Sequence, residues 1–151
     1  PHTARKRTPR ESRLIEALFE AWNSSRPDPP EIQVEKTAPA VEDLQVDGRG
    51  RVWVRHSGSG LNDQPEVFLR LDQFSPAGDW LREVAFVCPG DPVLDGLVIL
   101  DNERVLVIRH DRLSRLTRLA AIAGRAPTYG VEGEQRPLEI ICYRVPGGLP
   151  D

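Results

Sequence analysis

The side chains that could do chemistry here are three histidines, two cysteines, an Asp-Gly turn, a Ser-Gly run and a set of arginines. His2, His56 and His110 lie far apart, with no metal-ligand spacing among them. His110-Asp111 has the composition of a general-base pair, a carboxylate beside an imidazole. It also falls at a strand end, where the same dipeptide serves as a turn or cap. His56-Ser57-Gly58-Ser59-Gly60 sets hydroxyls beside a base but lacks the G-x-S-x-G spacing of a nucleophile elbow. Gly58-Ser59-Gly60 reads as a flexible loop. Asp47-Gly48-Arg49-Gly50 offers one carboxylate where a calcium loop alternates several, so it reads as a turn. No phosphate-binding loop or dinucleotide fingerprint occurs. The expectation is a protein that is not an enzyme, with no catalytic, metal-ligating or cofactor-binding residue and no cofactor.

Arg51, Trp53 and Arg55 alternate along one strand face. They could form a cation–π ladder, or a packed Trp with arginine stems laid over it. Arg112, Arg115 and Arg118 follow a helical repeat and could grip phosphates or an acidic partner; a solvated helix face is the ordinary alternative. The net charge of −3 is unevenly spread. A basic N-terminal stretch and a basic segment over 101–126 flank an acidic body, which can steer a partner but supplies no basic face for nucleic acid. Arg outnumbers Lys 18 to 2, which reads as compositional bias rather than a site. Cys88 and Cys142 form no C-x-x-C; they could pair in an exported protein or stay as thiols in a cytosolic one.

Two helices and several short strands must position these groups. Thr8 as N-cap, Pro9 at the first turn and Glu11 three residues after the cap predict a helix that stops near Asn23-Ser24-Ser25. Leu14, Ile15, Leu18, Phe19 and Trp22 share one face of it, to be buried on the chain's own sheet or on another subunit. Residues 1–7 read as a disordered or partner-bound arm. A Pro-rich linker follows, then a possible edge strand over Ile32–Lys36. From Val41 to Val87 four apolar strands are joined by Asp/Gly-type turns. A further pair, Leu97–Asp101 and Arg104–Arg109, and a last strand over 138–145 carry apolar residues on both alternation sets, the mark of strands covered on both faces. Asp111–Gly124 has helical spacing and 125–137 is turn-rich. The fold class expected is mainly β with two helices, in two parts: 1–30 (arm, amphipathic helix and linker) and 31–151 (β domain).

The text DLQVDGRGRVWVRHSG, followed by F-x-P-A-G-D-W-L-R-E-V, resembles the blades of bacterial six-bladed NHL-like β-propellers. In those blades an Asp-x-x-Gly turn enters Gly-Arg-(apolar)-Trp-Val, and an F-D-P-x-G turn enters a W/Y-L-x-x-V strand. The resemblance spans 38–112 and 138–146. A blade takes about 40–45 residues, so it implies about two antiparallel meander blades behind the helix. With no catalytic set present, the function expected is a protein-interaction, scaffold or accessory subunit of a bacterial assembly. The alternative is a piece of a complete propeller that binds a small ligand or acts as a hydrolase or lyase. Protein subunits are the partners expected, seated on Leu14, Leu18, Phe19 and Trp22 and on Arg112, Arg115 and Arg118. No nucleic acid and no membrane span are expected; peripheral membrane association stays open. The resemblance implies the periplasm or cell envelope. A chain without methionine that begins at Pro1 is expected to be a processed or excised product.

Overall fold

The computed structural model describes residues 5–24, 26–61, 64–122 and 137–149. The first helix, α1 (Pro9–Asn23), starts where its capping residues place it. Thr8 has extended backbone and its Oγ1 accepts the Glu11 N–H at 3.2 Å, while the Thr8 N–H donates to Glu11 Oε2 at 2.7 Å. Two of the helix's orphan donors are thereby satisfied. The Arg5 guanidinium holds both oxygens of the same carboxylate and also donates to the Ser57 carbonyl, which ties the helix start to the β domain.

Strands β1 (Val41–Val46), β2 (Val52–His56), β3 (Val67–Phe74) and β4 (Trp80–Val87) form an antiparallel meander in chain order. Val46 pairs with Val52 across the Asp47–Gly50 turn, where Gly50 takes φ +77°. Phe74 pairs with Trp80 across a turn held by Ser75 Oγ, which accepts the N–H groups of Ala77 and Asp79. A second antiparallel sheet contains β5 (Gly96–Ile99), β6 (Arg104–Arg109) and β7 (Glu139–Arg144), again in chain order. The helix α2 (Asp111–Ile122) lies between β6 and β7 in the chain. The protein is therefore mainly β, with one helix ahead of two meander sheets. Among the described residues no helix is long and apolar enough to cross a membrane.

The core is one cluster shared by both sheets. Trp53, Phe68, Leu69, Leu71 and Phe86 come from the first, Leu97, Ile99, Val105 and Val107 from the second, and Leu149 from the C-terminal turn. A side chain also joins the sheets through hydrogen bonds. Gln45 on β1 donates from Nε2 to the Leu97 carbonyl at 2.7 Å and accepts the Ile99 N–H on Oε1 at 2.9 Å. One amide thus occupies the place on β5 that a neighbouring strand would fill.

Three expectations are corrected. Helix α1 packs on α2 rather than on a sheet, with Leu14 fully buried and Leu116 nearly so. Ile32–Lys36 forms no strand; the nearest pairing is a single bridge between Lys6 and Thr37. Backbone pairing with the N-terminal arm begins only at the far end of that segment. The Arg7 N–H donates to the Lys36 carbonyl and the Ala38 N–H to the Arg5 carbonyl, both at 2.8 Å. Hence Arg5–Arg7 are docked rather than a loose arm. The turn-rich stretch expected over 125–137 lies outside the described residues apart from Pro137.

The Arg5 hydrogen bonds are the main cause that lowers the Glu11 carboxyl from its usual 4.5 to about 2. A depressed carboxyl contributes stability that is complete above the unfolded value and is lost as pH falls through the folded one. Stability should therefore drop as pH falls from about 4.5 towards about 2, and Glu11→Gln should flatten that part of a urea-stability profile against pH. At neutral pH, Thr8→Ala should lower stability by about 1 kcal/mol in the same assay.

Candidate functional site

The Asp47 carboxylate is heavily hydrogen-bonded, and its side chain is fully shielded from solvent. Its Oδ1 accepts the N–H groups of Arg49 at 2.9 Å and Arg51 at 3.1 Å. Its Oδ2 accepts Arg51 Nε at 2.8 Å and Trp53 Nε1 at 2.9 Å. Burial works against ionisation, but the donors from Trp53, Arg49 and Arg51 outweigh it and hold the carboxyl below its ordinary range. With four donors converging on two oxygens, no coordination site is left for a cation. The Arg51 guanidinium continues to Asn102 Oδ1 at 3.0 Å, so the first hairpin is pinned to the β5–β6 turn. Trp53 is buried edge-on to Phe86, with ring centroids 6.2 Å apart and the Arg51 guanidinium 5.8 Å from its ring. Arg55 turns away to Glu42 and the Pro92 carbonyl. Of the two readings of Arg51-Trp53-Arg55, the packed tryptophan holds and the ladder does not form.

His56 comes together with Asp72 and Glu83, their ligand-type atoms lying within 4.8 Å of one another. Cross-strand register explains the grouping: Asp72 stands opposite Val54 on one side and Glu83 on the other. A metal would need a free lone pair on the imidazole. His56 Nδ1 accepts the Gly58 N–H at 3.0 Å, which places the ring proton of the neutral form on Nε2. Binding a metal at Nε2 would move that proton to Nδ1, straight against the Gly58 N–H. The acids are also engaged, Asp72 by Trp80 Nε1 at 3.1 Å and Glu83 by Arg70 at 3.0 Å. The cluster is a polar patch whose histidine is set as a donor, not a ligand. Ser59 is not placed to act as a nucleophile, because it is fully buried. Its Oγ accepts the His56 N–H and its carbonyl accepts the Arg70 N–H, both at 2.9 Å. The run expected to be a flexible loop is a tightly bonded turn.

His110 caps a helix. It takes φ +58°, a left-handed conformation that histidine tolerates better than most residues, and its carbonyl accepts the Ser114 N–H. Its own N–H goes to Asp95 at 2.7 Å. Asp111 pairs with Arg115 at 2.9 Å, so no His–Asp relay is built. Asp95 was not singled out from the sequence. It is buried and also accepts the Asp91 N–H, and the Asp91-Pro92 turn was the signal available for it.

The residues expected to meet a partner are dispersed. Leu14 is taken up inside the chain, Leu18 is half-buried, and Phe19 and Trp22 are 37% and 36% exposed. Arg26 lies over the Trp22 ring at 3.8 Å. Arg112 reaches towards Glu42, Arg115 is held by Asp111, and Arg118 is exposed on α2. Cys88 and Cys142 are free thiols; burial pushes the Cys88 thiol up, which makes it a poor nucleophile.

The features that sequence reasoning did not assign as sites are the two outer sheet faces. Register puts Leu44, Val54, Asp72 and Glu83 in one row and Val46, Val52, Phe74 and Trp80 in the next. Leu44, Val46 and Trp80 are each more than half exposed. On the other sheet Val98, Leu106 and Cys142 align, as do Ile108 and Ile140, and Ile140 is 60% exposed. Apolar residues on both alternation sets were the signal, since one set packs between the sheets and the other faces out.

The chain matches no protein-family model, no curated protein and no solved structure.

Replacing Asp47 should be among the most damaging single changes. Asp47→Ala leaves the Arg51 charge and the Trp53 N–H buried without their acceptor, and should cost about 3–5 kcal/mol in urea unfolding. Asp47→Asn, which keeps the shape and one acceptor, should cost less.

Proposed function

We propose that this protein is a non-enzymatic interaction or scaffold module whose outward sheet faces seat β structure of a partner subunit. The observation that carries the reading is the row of large apolar side chains turned outward on both sheets, Leu44, Val46 and Trp80 on one and Val98 and Ile140 on the other. Large apolar side chains grouped outward in this way commonly mark an interaction site. Strands β4 and β7 are also edge strands of their sheets, and paired edges are a common route to association. The polar clusters support the same reading from the other side. Asp47, His56 and His110 each serve backbone geometry, and none presents a reactive group beside an accessible hydroxyl or thiol.

The same outward apolar rows favour a second reading, in which the two sheets are blades of a larger propeller and are covered by further blades. Both readings give the faces one physical task, which is to be covered by protein. The resemblance to propeller blades is the support for assigning such an assembly to a bacterial envelope or periplasm.

Sedimentation and dye binding test the proposal. The purified chain should bind an apolar dye and self-associate with rising concentration. Val98→Lys with Ile140→Lys should weaken both while leaving the urea midpoint nearly unchanged. A wild-type chain that stays monomeric and dye-silent would count against either reading.

A further inference from the structure

We propose that the groove between α1 and the segment 29–34 is a docking site for an extended peptide of a partner protein, one that carries arginine or lysine beside an apolar residue. The groove encloses about 480 Å³. That lies within the range of ligand pockets. Phe19, Pro29, Ile32 and Val34 line it together with Glu16, Glu20 and Asn23. This seat is separate from the sheet faces and stands independently of them.

Three observations on the groove select a cationic, extended occupant. The first is charge. Glu16 and Glu20 are exposed, stand one helical turn apart, and their carboxylates have no hydrogen-bond or ion-pair partner among the described residues. Like charges at that spacing repel, and a cation between them reverses the sign of the interaction. The second is Asn23, one further turn along the same stripe. Its Nδ2 donates to the Pro30 carbonyl at 3.2 Å, which fixes the orientation of the amide. Its Oδ1 is shielded from solvent and receives no hydrogen bond among the described residues. A buried acceptor in that state is costly until an N–H reaches it. The two carboxylates of this wall are therefore open to an incoming donor, with the unpartnered Asn23 Oδ1 one turn further along.

The third observation is main chain. Ile32 and Val34 are half-buried while Gln33 between them is exposed, the alternation of a strand. Yet the segment joins no ladder, and the backbone groups of Ile32, Gln33 and Val34 have no hydrogen bonds among the described residues. An extended peptide laid along it would supply the missing ladder. Its apolar side chain would enter between Phe19, Ile32 and Val34, and its cation would reach Glu16, Glu20 and Asn23. This is strand addition with a charged specificity determinant.

The test uses the intact chain, isotope-labelled for amide spectra. Three probes are titrated in low salt: a capped heptapeptide alternating arginine and leucine, the same peptide with glutamate for arginine, and arginine amide alone. The cationic peptide should shift the amides of Phe19, Glu20, Asn23, Ile32 and Val34, and the acidic one should not. Glu16→Gln with Glu20→Gln should weaken binding at least tenfold, with an unchanged thermal melt as the control for folding. Three results would each overturn the proposal: equal binding of both peptides, shifts confined to the sheet faces, or arginine amide binding as tightly as the peptide. The last would assign the groove to a small cation instead. Loss of the groove shifts alone would leave the reading of the sheet faces intact, because Val98→Lys and Ile140→Lys probe those separately.

Discussion

A carboxylate taken out of water at Asp47 is the constraint on which the β architecture rests. A buried charge without partners is costly, so the chain must bring donors to it. Two backbone N–H groups, one guanidinium and one indole do so, and each fixes something different. The N–H donors from Arg49 and Arg51 set the hairpin turn. The indole sets the depth of Trp53 in the core, where it meets Phe86. The guanidinium, once anchored, extends to Asn102 and fastens the first sheet to the second. Turn, core and inter-sheet contact therefore share one centre and should fail together.

The Gln45 amide supplies the same kind of link at the other margin, between β1 and β5. Two sheets held both by an apolar core and by two polar clamps have a defined relation to each other. Their inner faces are satisfied by that relation and their outer faces are not. A completed interior beside apolar exterior rows departs from the antiparallel sheet with one solvated face, whose outward strand positions would be polar. The groove beside α1 shows a similar imbalance on a smaller scale, with carboxylates and main-chain groups that make no hydrogen bonds among the described residues.

Much of the fold was legible because its signals are local. Thr8, Pro9 and Glu11 act within four residues of one another, and a capping box forms wherever the chain is otherwise willing to be helical. Asp47-Gly48-Arg49-Gly50 and Ser75-Pro76-Ala77-Gly78 close hairpins for equally local reasons, since the backbone angles they need suit few other residues. Ile32–Lys36 misled because alternation measures only willingness to pair. The arm at Arg5–Arg7 claimed the neighbouring backbone at Lys36 and Ala38, and no second strand came. Gly58-Ser59-Gly60 misled for a related reason. Its composition is that of a loose loop, but Ser59 bonds back to His56 and forward to Arg70, contacts that composition does not encode.

By itself the sequence determined the helix start, the strand meander and the turns, because each depends on residues a few positions apart and on steric rules that act at that range. Tertiary structure alone decided what the chemistry-bearing residues are for. Asp47 could have been a cation ligand until its four donors arrived, His56 a metal ligand until Gly58 took its Nδ1 lone pair, and His110 a base until Asp111 turned to Arg115. The same holds for the apolar helix face, which splits into the buried Leu14 and the exposed Phe19 and Trp22 only once α2 lies against it. The physical reason is range. A side chain's role depends on which lone pairs and surfaces remain after long-range contacts form, and those contacts are made by residues tens of positions away in the chain.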